Sequence, residues 1–344
     1  MKYQLHPFYF PTMCFFVDDS IVFLENLALQ LDKNLAFKLY SSPVDALIDI
    51  NTQGEITSQT RKYFSKYRNV DEFTYSNQVL NLDVEKIHRC VYDDQRFETL
   101  SVVVVDFAMP EMDGIEFCRN IKNTSIRKIL LTGKADEKLA VRAFNQGVID
   151  QFIMKNDKDA LIDLNEAINQ LQHDYFHKTS SSLAHALSYG THRFLLDPDF
   201  SKLFNNICAD LNIIEYYLYS NPDGMLMLDA KGDATLLIVY TDKELREQYE
   251  IAYDQAAPQD LLDRLKTGKS IPYFWETGGH YSPECVNWPA YLHEANEFQG
   301  SEWYYYALIK NPAPYKSGAV LSYRKFLNLL DQKIKHYPQV QKIY

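Results

Sequence analysis

No apolar run in the chain approaches the ~18 residues that a membrane-spanning helix requires. The first residues, MKYQLHPFYFPT, hold neither a basic stretch nor an apolar core, so no secretion signal is expected in them. Cysteine is sparse. The five residues Cys14, Cys90, Cys118, Cys208 and Cys285 are odd in number, scattered and free of CxxC, which fits a reducing compartment better than a disulfide framework. Positive charge is also short, with 35 Lys and Arg against 46 Asp and Glu and a formal net charge of −11. That balance argues against a protein that wraps nucleic acid over its whole surface, although it leaves room for a local basic patch. No internal repeat is visible. What remains is ordinary for a soluble globular chain of 344 residues: 46% apolar, 24% charged and rich in rings, with 25 Tyr and 20 Phe. A cytoplasmic protein of about two domains is expected.

The first half alternates short apolar runs with helical spacing. Runs at 14–17, 37–40, 102–105, 128–131 and 152–154 are each followed by a helical pattern, the last of them running from 159 to about 173. Strand alternating with helix predicts right-handed crossovers and a parallel sheet. Continuous apolar strands, instead of alternating ones, are what a sheet covered on both faces needs. A polar segment from about 53 to 99 interrupts this rhythm as an insertion, with one helix expected near 82–91. The Ser-rich stretch HKTSSSLAHALSYG then marks a boundary. The expected division is 1–175, a helical linker at 176–190, and a second domain at 190–344. In that second domain strands are expected at 213–219, 224–229, 234–241, 271–275 and 303–309, with the AKGD turn closing a hairpin between the second and third. Helices are expected at 199–211, 243–255, 259–266 and 320–335.

Functional groups gather at the ends of the five runs. CFFVDDS ends the first run in Asp18 and Asp19, and VVVVDFAMPEMDG ends the third in Asp106. KILLTG ends in Thr132 and FIMK in Lys155. In an open parallel sheet, ligands sit beyond the carboxyl ends of the strands, so these groups would converge on one edge. Three crowded carboxylates raise one another's pKa unless a cation compensates. An all-oxygen acidic pocket suits Mg²⁺, which prefers one or two carboxylates, water and phosphate oxygens to a full protein cage. A carboxylate can also attack phosphorus and form an acyl phosphate, with Lys155 and the Thr132 hydroxyl within reach of its oxygens.

DDS, DFAMPEMDG, LLTG and FIMK, in this order on five strands, resemble the receiver domain of two-component response regulators. The resemblance covers roughly residues 12–172 outside the insertion. It implies a doubly wound (βα)5 parallel-sheet α/β receiver with an insertion, followed by an α+β output domain. It makes Asp106 the phosphoacceptor, served by a sensor histidine kinase. Asp18, Asp19, Asp106 and the backbone carbonyl of Ala108 become the Mg²⁺ ligands, Thr132 the switch hydroxyl, and Lys155 the ammonium that pairs with the acceptor. Phe152 stands where the family keeps a rotating aromatic, and Pro110 and Gly114 shape the loop after the acceptor. The same resemblance implies phosphorylation-dependent dimerisation through the fourth helix, fifth strand and fifth helix. One departure is Asn156, where the family commonly has Pro after the lysine.

The second half carries weaker signals. Arg324, Lys325, Lys333 and Lys335 on the last helix are candidate contacts for nucleic-acid or nucleotide phosphates. The competing reading is the solvated face of a helix whose apolar side is Val320, Leu327, Leu330 and Ile334. SNPDGMLMLDAKGDATLLIVYT resembles the strand-turn-strand opening of PAS-type sensory folds, which implies a ligand or protein partner instead. His280, Cys285 and His293 fit no strong zinc spacing. ETGGH (276–280) lacks the strand-loop-helix context of a phosphate loop. No helix-turn-helix and no enzymatic output motif is evident, so the expected chemistry is confined to phosphorylation and dephosphorylation of the receiver itself. The layout of an enlarged receiver with an unfamiliar output is also similar to quorum-sensing response regulators, which implies control of gene expression in a small-molecule circuit.

Overall fold

The computed structural model describes the backbone of residues 5–56, 64–67, 79–133, 136–188 and 192–336, and the side chains of 5–52, 83–133, 136–187 and 192–332. Two compact units form, and neither is contiguous. One comprises Phe10–Arg61, Asp94–Thr179 and Ser322–Tyr344; the other comprises Met1–Tyr9, Lys62–Asp93 and Ser180–Leu321.

The first unit is built on five parallel strands: β1 (Met13–Val17), β2 (Ala36–Tyr40), β3 (Leu100–Asp106), β4 (Arg127–Thr132) and β5 (Gln151–Met154). Their order in the sheet is β2-β1-β3-β4-β5. Every residue of β1 and β3 is buried, as a doubly covered sheet requires. The covering helices are α1 (Ile21–Ala28), α2 (Pro43–Ile56), α3 (Gly114–Asn120), α4 (Glu137–Asn145) and α5 (Ala160–Ser188). Leu24 and Leu27 of α1 and Leu164, Ile168 and Leu171 of α5 close one core with Cys14, Phe16, Val102, Val104, Ile129 and Leu131.

Local chemistry sets the helix starts next to the strand ends. The Ser20 hydroxyl caps α1 by accepting from the Phe23 N–H at 3.2 Å. The Asp113 carboxylate caps α3 by accepting from Glu116 N–H at 2.7 Å. Gly114 opens α3 so close to β3 that a Cβ there would run into the Asp106 carbonyl and the Leu130 side chain. Only glycine permits that approach.

Three elements differ from the expectations. The fifth helix does not end near 173: it joins the stretch expected as a helical linker in one helix that runs to Ser188, with Ser180, Leu183, Ala184 and Leu187 buried along the part that belongs to the second unit. The Thr179 hydroxyl stays within the helix by donating to the Tyr175 carbonyl at 2.9 Å. The segment expected as an insertion beside the parallel sheet contributes Lys62–Asp93 to the second unit, where His88 of the short helix Glu85–Arg89 lies against Tyr219 with ring centroids 5.1 Å apart. Its strands Phe64–Tyr67 and Val79–Leu82 pair antiparallel. The last helix, Tyr323–His336, belongs to the parallel-sheet unit. Its buried anchors are Tyr323 and Phe326, packed on Phe97 at 5.0 and 5.4 Å, with Val320 lying ahead of the helix. The Tyr323 hydroxyl donates to the Asn34 carbonyl at 2.5 Å and accepts from the Ala36 N–H at 3.2 Å, fastening the helix to the start of β2.

The second unit carries a six-stranded antiparallel sheet in the order Phe8–Tyr9, Ile213–Tyr219, Gly224–Asp229, Ala234–Thr241, Trp303–Lys310, Asn296–Gln299. The AKGD turn closes the expected hairpin, with the Asp229 carboxylate accepting from the Lys231 and Asp233 N–H groups at 2.8 and 3.0 Å. The strand expected at 271–275 is limited to Ser270–Pro272 and pairs with Leu292–Glu294. Asp197 caps the helix Pro198–Asp210 and ties it to Ser301, whose N–H and hydroxyl both lie 2.7 Å from its Oδ2. Burial pushes that carboxyl up, but the hydrogen bonds from Ser301, Phe200 and Asp199 outweigh it and hold the group below its usual range.

Tyr323→Phe removes the partner of a buried backbone N–H. It is expected to destabilise the protein by about 1–3 kcal/mol, read as a lower urea midpoint at unchanged slope. An unchanged midpoint would show that the hydroxyl does not fasten the helix.

Candidate functional site

The strand register delivers the acidic groups together. Val17 pairs with Val105 and Asp106 with Leu131, so Asp18 and Asp106 leave neighbouring strands at one edge of the sheet. One carboxylate oxygen from each of Asp18, Asp19 and Asp106 lies within 4.8 Å of the others. Asp18 and Asp106 are buried, at 2% and 7% exposure, and Asp19 is exposed. Lys155, the first residue beyond β5, bridges the buried pair: its Nζ stands 2.6 Å from Asp18 Oδ2 and 2.8 Å from Asp106 Oδ1. The remaining oxygens take backbone donors, Asp18 Oδ1 from Ser20 N–H at 2.9 Å and Asp106 Oδ2 from Ala108 N–H at 3.1 Å. The ring of Phe23 lies under the ammonium, with its centroid 4.1 Å from Nζ.

One ammonium therefore serves a group of three carboxylates. Burial pushes the Asp18 carboxyl up, and the hydrogen bonds from Lys155 and Ser20 offset this only in part. Burial works against the charged form of Lys155 as well, but its hydrogen bonds and proximity to Asp106 and Asp18 outweigh it and hold the ammonium above its usual range. The pocket keeps an excess of negative charge on oxygen donors alone. That donor set fits a hard divalent cation of the Mg²⁺ kind.

Thr132 closes β4 fully buried, and its hydroxyl donates to the Gly133 carbonyl at 3.1 Å. Among the described residues no hydrogen bond joins it to Asp106. Phe152 stands away from the acidic trio. It is half-buried, set edge-on to Phe144 at 6.4 Å, and lines a groove of about 300 Å³ with Met154, Asp163, Glu166 and Gln170.

Comparison with known proteins separates the two ends of this site. The response regulator receiver domain family matches residues 68–166, a span that holds Asp106, Thr132 and Lys155 and leaves out Asp18 and Asp19. FixJ of Rhizobium meliloti (strain 1021), a transcriptional regulatory protein, is 40% identical over 63 residues, 18% of this chain and 30% of that protein. YclJ of Bacillus subtilis (strain 168), an uncharacterized transcriptional regulatory protein, is 34% identical over 76 residues, 21% of this chain and 33% of its own length. The matched stretch is thus about a third of either relative. The solved structure of the Legionella pneumophila response regulator LqsR is similar throughout: 37% identity over 97% of this chain and 98% of that one, with a TM-score of 0.79. The chain belongs to the response regulator family.

As a response regulator, it holds two groups at the receiver edge that sequence reasoning did not single out. Ser20 caps α1 and donates to Asp18, and Phe23 faces Lys155. A cap residue after an Asp-Asp pair is legible as such; a Phe in an amphipathic helix reads as core. The candidate phosphate contacts Arg324 and Lys325 are exposed on the last helix. Lys333 and Lys335 lie on the same helix, outside the residues whose side chains are described. His280, Cys285 and His293 do not converge on a metal position: among the described residues only Asp18, Asp19 and Asp106 do so. No helix among the described residues is long and apolar enough to cross a membrane.

The raised Asp18 pKa has a consequence for stability. A carboxyl raised on folding disfavours the folded state once it ionises, so the penalty is absent below its ordinary pKa and complete above the folded value. In the metal-free protein at pH 7, Asp18→Asn is expected to raise the thermal midpoint by about 2–4 °C, with the gain fading as the pH falls toward the carboxylate range. A lowered midpoint at pH 7 in scanning calorimetry would mean that Lys155 compensates Asp18 fully.

Proposed function

We propose that Asp106 accepts a phosphoryl group from a sensor histidine kinase and that the receiver uses this to switch its own dimerisation and an output that regulates gene expression. The observation that carries the reading is the Lys155 bridge between Asp18 and Asp106 beside a third carboxylate. In this reaction one Asp106 oxygen attacks phosphorus as the phosphorus–nitrogen bond of the phosphohistidine breaks, and the imidazole nitrogen takes up a proton. Lys155 offsets the charge that arrives on Asp106, and the Ala108 N–H stays aimed at the same carboxylate. Asp18, Asp19, Asp106 and the Ala108 carbonyl would hold Mg²⁺, which supplies charge neutralisation to the phosphoryl oxygens when bound. The Thr132 hydroxyl exchanges the Gly133 carbonyl for a phosphoryl oxygen, and Phe152 turns with it.

The face formed by α4, β5 and α5 is suited to pairing. Leu139, Val141 and Phe144 of α4 are exposed apolar side chains, and Phe144 lies edge-on to the Phe152 that lines the groove. We assign the receiver role to the parallel-sheet unit, most of which lies within 1–175, and the output role to the antiparallel-sheet unit, most of which lies within 190–344. We take the protein to act in the cytoplasm in a small-molecule quorum-sensing circuit; the similarity to a Legionella response regulator along nearly the whole chain supports the response-regulator part of this reading. A second reading is favoured by the antiparallel sheet of the second unit and by the placement of the basic helix in the other one. In it the protein is a signalling adaptor whose PAS-like domain binds a protein or small ligand, and nucleic acid plays no part.

Incubation of the full-length protein with acetyl phosphate and Mg²⁺ is expected to add one phosphoryl group to the wild type and none to Asp106→Asn, read by intact mass. An adduct on Asp106→Asn would place the acceptor elsewhere. With fluoroberyllate and Mg²⁺ the wild type is expected to become dimeric in light scattering and Phe144→Asp to remain monomeric. Equal masses for the wild type with and without fluoroberyllate would remove the dimer from the reading.

A further inference from the structure

We infer that Phe23 is a positioning residue for Lys155, a role that rests on the reading of Asp106 as phosphoacceptor. The ammonium has three N–H donors on a long flexible stem. Asp18 and Asp106 hold it at 2.6 and 2.8 Å, and the Phe23 ring, with its centroid 4.1 Å from Nζ, covers a further side. That separation lies well inside the ~6 Å range over which an aromatic face attracts a cation. The ring is itself held. Phe23 is half-buried against the core of the parallel sheet. Its backbone N–H donates to the Ser20 hydroxyl at 3.2 Å, while the Ser20 N–H donates to Asp18 at 2.9 Å. One helix cap thus fixes both the carboxylate and the ring that hold the same ammonium.

Phosphorylation of Asp106 replaces a singly charged carboxylate with a doubly charged acyl phosphate, so the position of the single ammonium matters more after transfer than before. With acetyl phosphate as donor, an Asp106 oxygen attacks phosphorus and acetate leaves with the bonding electron pair. The π face keeps Lys155 at the acceptor through that change, where water alone would let the stem swing outward. A purely space-filling role would be met equally well by leucine.

The test uses the full-length protein and two readouts. In the metal-free state, the lysine ammonium resonance lost in Lys155→Gln is expected to be shifted upfield by the ring, to keep that shift in Phe23→Tyr and to lose it in Phe23→Leu. With acetyl phosphate and Mg²⁺, phosphorylation is expected to slow about three- to tenfold in Phe23→Leu and to be restored in Phe23→Tyr. In a Lys155→Gln background Phe23→Leu should add nothing. Wild-type rate and shift in Phe23→Leu, or an equal further loss in the Lys155→Gln background, would overturn the inference. If the wild type takes no phosphoryl group at all, the reading of Asp106 fails while the ammonium shift still decides whether the ring holds Lys155. Should Phe23→Leu not fold, Phe23→Met takes its place as the apolar side chain without a π face.

Discussion

One ammonium shared by two buried carboxylates is the interaction on which the receiver depends. Asp18 and Asp106 sit on adjacent parallel strands, and at neutral pH two ionised carboxylates so placed would repel and push their strand ends apart. Lys155, from the far strand of the sheet, lies between them. The surrounding structure serves this contact. Buried β1 and β3 make a stiff mount, Gly114 lets α3 begin against the acceptor strand, and Ser20 and Ala108 occupy the carboxylate oxygens that the lysine does not.

The residual negative charge makes the same edge useful. A pocket balanced by its own cations would be more stable and would have no use for a metal or a phosphoryl group. This one is left short of positive charge, and binding anything that supplies or rearranges it changes the balance of the whole edge. Stability and reactivity are opposed at Asp18 for that reason.

Much of this was legible before the fold was described. Short apolar runs that end in Asp18, Asp106, Thr132 and Lys155 carry both the strand positions and the site, because a doubly covered parallel sheet needs local, continuous apolar runs and presents its ends at one edge. The AKGD hairpin was legible for a similar local reason. What escaped depends on contacts distant in sequence. Phe23 looks like any apolar residue on a helix, and its apposition to Lys155 follows only from the register of five strands. The Ser-rich stretch after 173 suggested a joint, and in the fold one unbroken helix, α5, crosses the point between Thr179 and Ser180 where the two units divide. The stripe of the last helix says that it covers something, without saying which sheet. Its partners Asn34, Ala36 and Phe97 are identified only by the folded chain. The long segment between β2 and β3 separates the acidic pair from the acceptor in sequence, while the fold brings them within one site.

The fastening of Tyr323 to the start of β2 bears on how the protein is made. Six successive segments of the chain alternate between the two units, and the last of them completes the unit that holds the acceptor. Synthesis runs from the amino terminus, so the strand edge at Asn34 and Ala36 emerges long before the helix that covers it. Translation must pass the helix Tyr323–His336 before the parallel-sheet unit can close. A chain that stopped short of Tyr323 would carry every residue of the acidic site on a sheet whose β2 lacks that fastening.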